Sequence, residues 1–127
     1  MDPQAQVLLN ASADDETTML LPGLPPAHFG FHAQQAIEKL LKALIAQRGE
    51  IYPWTHHADD LTKILIRLGE VLPATPLQVS EFDPFATVWR YDNPPASVHL
   101  DPGKAKTTVR IVREFVHRRV HELDPQP

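Results

Sequence analysis

Apolar positions recur at steps of three and four through most of this chain, and prolines mark where the recurrence stops. Prolines cluster at 22–26, 73–76, 94–95 and 125–127, with single ones at 3, 53, 84 and 102. No clean alternation bounded by turns is long enough to suggest a sheet. The first predicted helix spans residues 3–21. Pro3 suits its first position, Val7, Leu8, Ala11, Thr18 and Leu21 give a moderate apolar face, and Pro22-Gly23 ends it. The second, residues 26–48, is the clearest. Phe29, Ala33, Ala36, Ile37, Leu40 and Leu44 form one apolar stripe, and Gly49 follows as a good terminator. The opposite side carries His28, His32, Gln35, Lys39 and Lys42, also at steps of four and three. Glu38 and Lys42 form an i,i+4 pair in the favourable order.

A loop with Tyr52, Pro53 and Trp54 leads to a third helix over 58–72, lined by Leu61, Ile64, Leu65 and Leu68. In the fourth segment Val79, Phe82, Phe85, Ala86 and Trp89 share a face, but Pro84 lies inside it. Either the helix kinks there, or a new one starts with Asp83 as cap and Pro84 at its first position. The segment ends near Tyr91. The last helix starts at Asp101-Pro102, again a cap followed by proline. Its stripe is Ala105, Val109, Val112, Val116 and Val120, flanked by Ile111 and Phe115. The expected fold is all-α: an up-and-down antiparallel four- to five-helix bundle forming one domain over residues 1–127, with its core at about 4–123.

Composition narrows the functional classes. The 127 residues are 43% apolar and 22% charged, which fits a globular domain rather than a disordered chain. The net charge is −4, which argues against a wholesale nucleic-acid coat; protonating all seven His would bring it to +3. Without cysteine there are no disulfides, thiolate metal sites or cysteine nucleophiles. The apolar runs are too short to cross a membrane, and MDPQAQ lacks the basic and apolar regions of a signal peptide, so a cytoplasmic location is expected.

The stretch FHAQQAIEKLLKAL, Phe31 to Leu44, resembles the signature helix of the HEPN family, in its stand-alone prokaryotic type. Two further pieces agree in order and spacing. Thr55-His56-His57-Ala58-Asp59-Asp60-Leu61 is similar to the family's entry to its third helix, and Trp89-Arg90-Tyr91-Asp92 to the end of its fourth. The resemblance implies a small α-bundle that usually forms homodimers. It also implies frequent partnership with a minimal nucleotidyltransferase, sometimes as a toxin–antitoxin pair, and in some branches metal-independent RNA cleavage.

Several constellations carry two readings each. The stripe His28, His32, Gln35, Lys39, Lys42 is either a solvated helix face or part of a cleft for a phosphate-bearing ligand, with Lys39 and Lys42 supplying charge and Gln35 amide groups. Arg90 either pairs with an acid such as Glu38 or Asp15, or faces an anionic ligand while Tyr91 stacks on a base. Catalytic HEPN branches use an Arg and a His separated by four to six residues, with His moving the 2′-OH proton and Arg stabilising the charged phosphorane. Here His99 follows Arg90 too late. Arg110 and His117 fit formally, but seven Arg, seven His and three allowed spacings give about one match by chance.

Lys106, Arg110, Arg113, His117 and His121 make one basic face on the last helix, whereas the first 38 residues hold five acids and no Lys or Arg. Either the terminal helices complement each other in charge, or the basic face docks RNA or an acidic partner. His56, His57, Asp59 and Asp60 suit the start of the third helix, capped by Thr55 or His57, better than a metal site.

The leading expectation is a non-catalytic nucleotide-binding and interaction module. Its ligand contacts are His32, Gln35, Lys39, Lys42, Arg90 and Tyr91, without metal or cofactor. Its partners are a second copy, a minimal nucleotidyltransferase, and nucleotide or RNA, and it is not associated with a membrane. The alternatives are a dimeric, metal-independent ribonuclease toxin using Arg110 and His117, and a structural adaptor without a small ligand.

Overall fold

A computed structural model describes residues 1–73, 76–87 and 100–125. Its helices are α1 (Pro3–Met19), α2 (Pro26–Gln47), α3 (Ala58–Arg67), α4 (Pro76–Ser80), α5 (Asp83–Thr87) and α6 (Pro102–Leu123). Among the described residues there is no strand, and the architecture is an all-α helical bundle. Capping sets both long termini. The Asp2 carboxylate accepts the Gln4 and Ala5 N–H groups, and Asp101 accepts that of Lys104, each followed by proline at the first helical position.

Helices α2 and α3 end alike. Gly49 and Gly69 take φ of +80° and +97°, which lets the next residue's N–H reach back to Ile45 and Leu65. This turn stops α3 at Arg67, short of the expected Leu72, and swings the buried Glu70 inward. There Arg48 and Arg119 meet the Glu70 carboxylate at 2.6 and 2.8 Å, tying the ends of α2, α3 and α6 together. Burial alone would raise the Glu70 pKa, but the two guanidinium groups hold it below the usual carboxylate range.

Helix α2 is the centre of the bundle. Its apolar stripe is buried as expected, but so are Gln34, Glu38 and Lys42, because α1, α3, α5 and α6 pack around it. Helix α1 runs antiparallel to it: the Asp2 N–H bonds Gln47 and the Ser12 hydroxyl bonds the Ala36 carbonyl. Helices α3 and α6 point the same way as α2: Gln34 bonds the His56 carbonyl ahead of α3, while Arg48 after α2 and Arg119 late in α6 meet Glu70 beyond the end of α3. The loop ahead of α3 carries His56 back beside Gln34, and the α4–α5 leg carries Phe85 back to Gly30. Gly30 is needed there, since a Cβ atom would stand 2.1 Å from the Phe85 ring.

Two expectations are corrected and two are met in part. Helix α1 ends at Met19, and it buries Ala5, Leu9, Ser12, Asp15 and Met19 while Val7 and Leu21 are exposed. The fourth segment follows the second of its two readings in part: it breaks at Glu81-Phe82, and a new helix starts at Asp83-Pro84. Asp83 does not cap α5; its carboxylate accepts the Ala58 N–H at 2.8 Å and so caps α3 from 25 residues away. His57 stands at the N-cap position of α3, as one of the two readings had it, but makes no side-chain cap bond, and the Thr55 hydroxyl accepts the His57 N–H.

Candidate functional site

The polar stripe of α2 lies along the α1–α2 seam, and only His28 is fully exposed. Asp15, buried on α1, gathers two members. Its carboxylate meets His32 Nδ1 at 2.9 Å and the Lys39 ammonium with its other oxygen. Both side chains remain about a quarter exposed, at 26% each. Gln35 donates from Nε2 to Gln34 Oε1 at 2.7 Å, which fixes its amide and leaves its carbonyl oxygen available. Lys42 turns inward to Glu38 at 3.0 Å, with its ammonium 5.4 Å from the Tyr52 ring centre. His32, Gln35 and Lys39 therefore reach solvent in one row, while Lys42 is bound up in the interior. Arg90 and Tyr91 lie outside the described residues.

Behind this row sits a buried polar network that the apolar pattern did not announce. Gln34 donates to Glu38 and to the His56 carbonyl, and His56 Nδ1 lies 3.1 Å from Glu38. Burial would raise the Glu38 pKa, but the bonds from Gln34, Lys42 and His56 outweigh it and hold the group below its ordinary value. Gln34, Glu38 and Lys42 stand at steps of four, a spacing that was legible; Asp15 and His56 arrive from other elements and were not. The cluster around His56 does not converge: His56 faces Glu38, His57 faces Asp83 at 3.6 Å, and Thr55 bonds Asp60. Among the described residues no three His, Asp or Glu side chains are grouped to hold a metal ion.

On α6, Arg113 crosses to Glu16 of α1 at 2.6 Å, one ion pair of the charge complementarity expected between the terminal helices. Among the described residues Arg110 pairs with its neighbour Glu114, at 3.4 Å, and His117 is exposed. Arg110 and His117 stand two turns apart on one face, a rise of about 10 Å along the axis.

The HEPN domain family model matches residues 27–123. Among solved structures, the crystal structure of TT1696 from Thermus thermophilus is similar over 98% of this chain and 100% of its own, with a TM-score of 0.69 and 23% identity. At that identity the likeness is one of fold. Among curated proteins none matches. No described helix is long and apolar enough to cross a membrane.

Proposed function

The chain belongs to the HEPN domain family, and from that premise we propose that it is a non-catalytic nucleotide-binding and interaction module. It works as a homodimer in the cytoplasm, beside a separately encoded minimal nucleotidyltransferase in a two-component, toxin–antitoxin-like system. The observation that carries the binding role is the preorganised row His32, Gln35, Lys39. Asp15 anchors His32 and Lys39, Gln34 orients Gln35, and each member keeps contact with solvent. One of the three Lys39 N–H donors goes to Asp15, so two remain for phosphate oxygens. Donors held in place lose little entropy when a ligand arrives. Arg90 and Tyr91 would add charge and a stacking ring on the family pattern, while Lys42 acts through Glu38 rather than by touching the ligand.

The buried network supports the same reading. Breaking one partner out of such a network is costly, whereas apolar residues of similar volume would stabilise a bundle at least as well. Its presence on the central helix suits a surface whose side chains must be held in register.

The test is calorimetric titration with ATP, without added metal. Saturable one-to-one binding per protomer is expected, weakened at least fivefold by Lys39→Gln and by Arg90→Ala. Equal affinity of Lys39→Gln and wild type would refute this site. For the partner, a tagged copy from native cells should retain a nucleotidyltransferase at equal stoichiometry; retention of RNA alone would move the reading to the ribonuclease alternative through Arg110 and His117.

A further inference from the structure

A second concavity lies at the opposite end of α1 from Tyr52, where the α1–α2 turn faces α5 and the start of α6. It encloses about 320 Å³, within the range of small-molecule sites. Met19, Leu20, Leu21, Leu24, Phe29 and Phe85 supply apolar walls, and Leu20 and Leu21 are 54% and 53% exposed. Large side chains left open at a cleft are unusual on a small monomer surface and mark a place where apolar matter docks. Among the described lining side chains only Lys106 carries a hydrogen-bonding group.

Lys106 is also the hinge between two environments. It lines both the apolar cleft and a neighbouring groove that holds Glu16, Arg110 and Arg113. Glu16 is engaged by Arg113, and among the described residues no carboxylate pairs with Lys106. The α6 N-terminus next to it is already capped by Asp101, so the unmet positive charge belongs to Lys106. An apolar pocket with an ammonium at its mouth that no described carboxylate engages is complementary to one ligand class.

We propose that this cleft binds a small amphiphilic carboxylate, with its apolar body among the leucine and phenylalanine side chains and its head on Lys106. A nucleotide fits poorly, because the described lining offers no side chain to read the edge of a base. The site is separate from the α2 row, so its failure and the failure of the nucleotide reading are independent results.

The experiment is a titration of the full chain with decanoate, followed by amide chemical shifts. Saturable shifts centred on residues 19–26, 85–86 and 100–106 are expected. Lys106→Gln should raise Kd at least fivefold, whereas Lys63→Gln, an exposed lysine on α3, should leave it unchanged. Decanol, which lacks the charge, should bind more weakly than decanoate. Leu20→Ser, at an exposed wall position, should weaken both. The proposal is overturned if decanoate gives no saturable shift at these residues, if Lys106→Gln binds as well as wild type, or if AMP occupies the same residues with equal or higher affinity.

Discussion

Gly30→Ala sets two effects of opposite sign against each other. Gly30 lies inside α2, where alanine would ordinarily stabilise by about 1 kcal/mol through backbone entropy and helix propensity. Its missing side chain, however, is where Phe85 sits. A Cβ atom would stand 2.1, 2.5 and 2.7 Å from Cδ1, Cγ and Cε1 of that ring. Carbon atoms pack at about 3.5–4.0 Å, so the ring must retreat by more than 1 Å. Phe85 is 2% exposed, and the space its ring borders is the apolar cleft it lines, so retreating there strips it from its contact with α2. Overpacking of this kind costs about 1–3 kcal/mol, with this geometry at the upper end. The net expectation is a loss of about 1–2 kcal/mol in urea unfolding. Phe85→Leu in the same background should recover part of that loss, giving a coupling of at least about 1 kcal/mol in a double-mutant cycle. A Gly30→Ala protein more stable than wild type would mean that the ring does not lie on α2, and would remove one wall of the apolar cleft with it.

Other predictions concern ionisable groups. Burial pushes the Asp83 carboxyl up to about 6 despite the Ala58 N–H, with Asp59 raising it further and His57 opposing. The folded state then takes up a proton that the unfolded chain does not, so this group's contribution falls as pH rises from about 4 to about 6. Asp83→Asn keeps an oxygen for Ala58 and removes the charge. Thermal unfolding at pH 8 should show a gain of about 1 kcal/mol, discounted for solvent screening, and a flatter profile between pH 4 and 6; an unchanged slope would contradict this. Glu70→Gln leaves Arg48 and Arg119 without their anion, and urea unfolding should show a loss of about 2–4 kcal/mol; a change under about 0.5 kcal/mol would show the clamp to be incidental. Glu38 and Glu70 both titrate below the ordinary carboxylate value. Their stabilisation is present above about pH 4.5 and lost as pH falls through the lowered values, so the Glu38→Gln, Glu70→Gln double variant should show a shallower acid limb between pH 5 and 2.

The helical bundle was legible because apolar spacing reports burial directly. Phe29 to Leu44 on α2 and Ala105 to Val120 on α6 lie inside as their steps of three and four imply. The inward face of α1 was not legible, because Ser12 and Asp15 turn to the core to satisfy a carbonyl, an imidazole and an ammonium on α2, and an apolar pattern does not register polar residues placed there. The candidate stripe shows the same limit. Its periodicity was plain, but whether a polar face meets water or a neighbouring helix depends on what packs against it. Asp15 comes from 24 residues before Lys39, and the cap of α3 from 25 residues after Ala58. Local rules for caps reach three or four residues and find neither.

On the proposed function this chain binds rather than cleaves. The most direct measurement incubates the purified chain with a long, end-labelled single-stranded RNA in the presence of a chelator and resolves the products. Intact RNA is expected with wild type, Arg110→Ala and His117→Ala alike. Cleavage by wild type that either substitution abolishes would contradict it and make the basic face of α6 an active site.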